Sequence, residues 1–111
     1  LNGQQKIILY GIVKILYLTL GETMNYKFNE DKHILELKEY IDSTYGQHYA
    51  SDKYQATDVI IDSGHGEGFC MGNIMKYAKR YGNKAGKNRN DLLKILHYTV
   101  IMLDIHNKEN M

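Results

Sequence analysis

DLLKILHYTVIMLDIH, residues 91–106, places apolar side chains at Leu92, Leu93, Leu96, Val100, Leu103 and Ile105. Most of these positions are separated by three or four residues, the spacing that lines up one side of an α-helix, so the stretch is read as helical. Asn90 followed by Asp91 reads as its start. The preceding NKAGKNRN, residues 83–90, is polar, basic and glycine-containing, and is read as a loop. Before it, FCMGNIMKYAKRYG predicts a helix from about Gly68 to Tyr81. Gly82 is its terminator, and Phe69, Met71, Ile74, Met75 and Ala78 are its buried positions.

Glycines 64, 66 and 68 make SGHGEG a connection to a further short helix, YQATDVIID at 54–62, with Ala56, Val59 and Ile60 facing inward. Asn29 with Glu30 and Asp31 opens another helix, 30–44, marked by Ile34, Leu37 and Ile41 and stopped by Gly46. Its Lys32, Glu36, Lys38, Glu39 and Asp42 form a solvated face. No strand-like alternation interrupts residues 24–111, so the expected fold is all-α, a small domain of three to five helices.

The run KIILYGIVKILYLTL at 6–20 is the one strongly apolar segment. It contains Lys6 and Lys14 and falls short of the roughly 20 residues that span a bilayer. It also lacks the small-residue cleavage site of a signal peptide. Helix and strand remain equal alternatives for it. MNYKFNEDKH from Met24 resembles a natural start, so residues 1–23 are read as an apolar extension and 24–111 as a single helical domain. Helices this apolar in so short a chain point to a homo-oligomer.

Lys and Arg number 14 against 13 Asp and Glu, giving a formal charge of +1, so no global field argues for nucleic acid or a membrane surface. The single cysteine, Cys70, excludes an intramolecular disulfide and a cysteine-rich zinc site, and fits a reducing cytoplasm. His48, His65, His97 and His106 have no i, i+4 partner among them, and no acidic cluster accompanies them, so no metal is expected.

Asn73, Lys76, Tyr77 and Arg80 fall on one helical face. Asparagine offers a donor and an acceptor, lysine and arginine bind phosphate oxygens, and tyrosine offers a stacking surface. The alternative is that Lys76 and Arg80 are solvated or pair with Asp91 or Glu67. Gly82 to Asn88 fails as a phosphate-binding Walker A loop, because three residues separate its glycines and Asn88 stands where Ser or Thr would hold magnesium. Lys84, Lys87 and Arg89 either close over phosphates or are solvated. Gly64 to Gly68 leads into a helix N-terminus, where an anion can bind and His65 or Glu67 can move a proton; the alternative is a simple connector. His97 is read as a packed histidine and Tyr98 as a pocket residue.

His48-Tyr49, Ala56-x-Asp58-Val59-Ile60, Gly72-Asn73-Ile74-x-Lys76-Tyr77-x-x-Arg80-x-Gly82-x-Lys84 and Asp91-Leu92-x-Lys94-x-x-x-Tyr98 occur in that order. Together, over residues 48–106, they resemble the SaV-like family of small phage proteins. The resemblance to its nucleotide-kinase members implies phosphate transfer to deoxynucleoside monophosphates without a P-loop, in the cytoplasm of an infected bacterium and with no cofactor. Lys76, Arg80 and Lys84 would then clamp phosphates, Asn73, Tyr77 and Tyr98 would hold the nucleoside, and His48 or Glu67 would handle the proton. The partner would be a nucleotide or another phosphate-bearing small molecule. The alternatives are a counter-defence protein that sequesters a nucleotide unchanged and a factor that docks on a host protein.

Overall fold

The computed structural model is all-α. It describes residues 1–22, 24–48 and 52–110, with side chains described except at 18–22, 47, 48 and 52–55. The helices are α1 (Gly3–Glu22), α2 (Glu30–His48), α3 (Asp52–Asp62), α4 (Gly66–Arg80) and α5 (Arg89–Glu109). Among the described residues there is no strand. None of these helices is long and apolar enough to cross a membrane.

The apolar run left open between helix and strand is helical. Its start is fixed reciprocally, with Asn2 Oδ1 accepting from the Gln5 N–H at 2.8 Å and Gln5 Oε1 accepting from the Asn2 N–H at 2.9 Å. That exchange satisfies two backbone donors at the helix entrance. At α2, Asn29 adopts a left-handed φ of 56° and its carbonyl accepts from Lys32 and His33 N–H, while Glu30 Oε1 accepts from the Phe28 N–H. The helix runs through Gly46 to His48 instead of stopping at the glycine. A single glycine within a helix costs only about 1 kcal/mol and leaves the hydrogen-bond ladder intact.

Gly82 does end the α4 region, with φ of 83°, a conformation that favours glycine. Its N–H donates to the Gly86 carbonyl at 2.9 Å, and Asn83 and Lys84 N–H both donate to Arg80. The basic loop is therefore folded back on itself. Asn88, not Asn90, caps α5: its side chain accepts from the Asn90 N–H at 2.9 Å.

The chain divides into two compact units, residues 1–38 and 39–111. In the first, α1 meets the beginning of α2. Tyr17 Oη donates to the Asp31 carbonyl at 3.3 Å, and Lys38 Nζ lies 4.7 Å from the Tyr10 ring centre. In the second, α4 packs along α5 and α3 packs against α4. Cys70, Leu93 and Ile105 are its buried apolar side chains. Gly66 is buried among them because a Cβ there would stand 2.9 Å from Ile105 Cδ1 and 3.1 Å from Ile61 Cγ1. The glycine-rich connection is thus a packing element that lets α3, α4 and α5 converge.

Several expected core positions are instead exposed. These are Ala56 and Val59 on α3 and Met71, Met75 and Ala78 on α4; the apolar Leu92, Leu96, Val100 and Leu103 of α5 are exposed as well. Each helix has apolar residues on more than one side, so spacing alone does not choose which side meets its neighbour.

Candidate functional site

The second unit contains an open groove of about 1060 Å³. It is bounded by the end of α2 (Tyr40, Thr44, Tyr45), by α3 (Asp58, Ile61), by Tyr77 of α4 and by one side of α5. The α5 contributors include Asn90, Lys94, His97, Tyr98 and Ile101. Their spacing of three or four residues makes them a single stripe along the helix. The cavity in the first unit is apolar and about 70 Å³. Of these two, the groove reaches the several hundred Å³ that small-molecule ligands occupy.

Aromatic rings organise the groove. Tyr77 lies nearly parallel to Tyr98, with centres 6.2 Å apart and planes inclined by 14°. Phe69 meets Tyr98 edge-on at 5.8 Å, and Tyr40 meets His97 edge-on at 6.0 Å. Lys76 Nζ and Lys94 Nζ stand 4.5 and 4.9 Å from the Tyr77 ring centre. Two ammonium groups are therefore gathered on one ring, each attracted by its negative π face.

Burial tunes the groove's titratable groups. It pushes the Tyr98 hydroxyl up, with Tyr77, Cys70 and Tyr40 adding to the effect, and pushes the Tyr40 hydroxyl up, with Tyr77 adding. Both stay protonated donors at neutral pH. Burial also lowers His97 below its ordinary value of 6.5, so at neutral pH its imidazole is uncharged, one nitrogen a donor and the other an acceptor. Far along α5 the groove ends in acidic surroundings, where the Lys108–Asp104 pair closes at 2.9 Å. The hydrogen bond to Asp104 raises Lys108 first, followed by the fields of Asp104, Asp62 and Asp58.

The residues singled out from sequence are only partly brought together. Tyr77 and Tyr98 line the groove, and Lys76 sits over Tyr77 at its edge. Asn73 is turned back on its own helix, its Nδ2 donating to the Phe69 carbonyl at 2.9 Å. Arg80 takes the pairing alternative: its Nε lies 3.5 Å from Oδ1 of Asp91, a carboxylate only 2% exposed. The face bearing Asn73, Tyr77 and Arg80 is thus half-buried against α5. Lys84 is exposed on the loop after α4, and Glu67 is exposed in the first turn of α4, neither lining the groove. His48 is the last residue of α2, and its side chain lies outside the described residues, as does Tyr49. Lys94, His97, Tyr40 and Asn90 join the site without having been assigned to it. Lys94 and His97 share a stripe with Tyr98 and Ile101 on α5, and Tyr40, on α2, carries no such signal in the sequence.

Among the described residues no group of three or more His, Cys, Asp or Glu is gathered as for a metal ion. Residues 43–100 match the family model described as a protein of unknown function, DUF3310. No curated protein and no solved structure matches the chain.

Proposed function

The chain belongs to the DUF3310 family, and we propose that it binds a nucleoside phosphate in the groove, most of whose lining lies within the matched residues. The observation that carries this reading is the Tyr77–Tyr98 stack with the ammonium groups of Lys76 and Lys94 on the Tyr77 ring. Stacking a base on an aromatic ring contributes about 1–3 kcal/mol. The two ammonium groups over the Tyr77 ring would neutralise phosphate oxygens, and neutral His97 offers the base or sugar both a donor and an acceptor. The resemblance to phage nucleotide kinases supports the same ligand class. It makes phosphate transfer between two bound nucleotides the chemistry to look for once binding is established.

The test is a titration of the folded protein with single nucleotides and nucleotide mixtures, followed by mass analysis of what is released. Lys94→Ala should weaken binding roughly tenfold to a hundredfold, the loss expected when one charge-assisted contact goes. Lys38→Ala in the first unit removes the same charge and should leave affinity unchanged. Nucleotide recovered intact makes the protein a sequestering one, and phosphorylated product makes it a kinase. If no nucleotide binds the folded protein at millimolar concentration, the reading is wrong.

A further inference from the structure

Independently of the groove, we infer that α1 carries an interface for a second copy of this chain, formed by Ile8, Leu9, Ile12, Ile15 and Leu16. These positions follow steps of three, four and seven, the pattern of a helix–helix seam. They occupy the side of α1 roughly opposite Tyr10, Val13, Lys14 and Tyr17, which line the cavity shared with α2. α2 thus lies on the Tyr10–Tyr17 side of α1, where Lys14 and Tyr17 are half-buried, while all five seam positions are exposed. The five side chains are 49% to 64% exposed, a proportion that isolated surface leucines and isoleucines reach but a continuous run seldom does.

The choice of a second copy rests on charge and area. The helix's two lysines, Lys6 and Lys14, both lie off the seam, so it offers no charge to an acidic or basic partner and no repulsion to itself. An uncharged apolar stripe is self-complementary about a two-fold axis, because each isoleucine meets only other aliphatic side chains. Complete coverage of it on both protomers would remove at most about 1,000 Å² from water, the lower bound for a specific interface.

Ile12 stands at the middle of the seam, so it faces its own counterpart whether the two helices run parallel or antiparallel. Ile12→Cys should give a covalent dimer on mild oxidation, while Ile7→Cys, on an exposed position outside the seam, should not. Cys70 is fully buried and does not compete. Light scattering of the unaltered protein at micromolar concentration should give at least twice the chain mass, and Ile12→Glu should reduce it to one chain. The cysteine variant removes no charge balance and keeps an apolar side chain, so it reports even where the glutamate variant fails to fold. A single-chain mass for the unaltered protein overturns the inference. So does equal cross-linking at positions 7 and 12, or a folded Ile12→Glu protein that keeps the oligomer mass.

Discussion

Asp91 and Arg80 change the meaning of the cationic face on α4. From sequence, Arg80 offers a fork for phosphate; in the fold its Nε is ion-paired with Oδ1 of a buried carboxylate, and Asp91 Oδ2 has no hydrogen-bond partner. Arg80→Ala should consequently act on stability, costing about 3 kcal/mol because an unneutralised buried charge is left behind. Changing both residues together, Arg80→Met with Asp91→Leu, should cost less than the single change. Urea denaturation measures each, and an unchanged midpoint for Arg80→Ala would mean that the pair holds nothing together. His97 carries a pH dependence of definite sign. Its folded value is lowered by burial, so the unfolded chain binds the proton more readily. The stability it contributes is full above about 6.5 and is lost as pH falls towards and through the folded value. His97→Gln should flatten the fall of melting temperature below pH 6.5, and an unaltered slope would place the acid sensitivity elsewhere.

The helices themselves show which sequence signals carry structural information. Gly66 and Gly72 both lie in α4, yet a Cβ at Gly66 meets Ile105 and Ile61, whereas one at Gly72 meets nothing within 4 Å. Gly72→Ala should stabilise by roughly 0.5–1 kcal/mol through backbone entropy. Gly66→Ala gains the same propensity but overpacks a closed contact, a cost of about 1–3 kcal/mol, so its melting temperature should fall while that of Gly72→Ala rises. Matched shifts in the same direction would contradict the close approach of α3 and α5 to Gly66. The existence of the α2, α3, α4 and α5 helices was legible because their apolar spacing is a local property. Gly82 was legible as a stop because its left-handed φ is a local demand. What the spacing could not give was orientation: Val59 and Met75 fit an apolar face as well as Ile61 and Cys70 do, and only the neighbouring helix decides between them. The site was half legible for the same reason. Tyr77 and Tyr98 were found, but Lys94, His97 and Tyr40 enter it through contacts between α2, α4 and α5 that no single helix encodes.

Among the described residues few apolar side chains are buried. Chains of this length remove about two-thirds of their unfolded surface from water, and among the described residues the buried apolar side chains are Cys70, Leu93 and Ile105. Hydrophobic burial is the main term that offsets chain entropy, so a small core gains from apolar burial against a second copy. A formal charge of +1 opposes association with a second copy only weakly. If the proposed α1 seam forms, burial supplied by association adds to stability, which then depends on concentration. Each tenfold rise in concentration adds about 1.4 kcal/mol to a folded dimer. Spread over the unfolding entropy of two chains of this length, that amounts to a melting-temperature rise of roughly 3 °C per tenfold. Calorimetry across about a hundredfold range of concentration reads the trend directly. Ile12→Glu, with its seam disrupted, should melt lower and show no such rise. A melting temperature independent of concentration in the unaltered protein would mean that each chain holds its fold alone, with its exposed aliphatic side chains left in water.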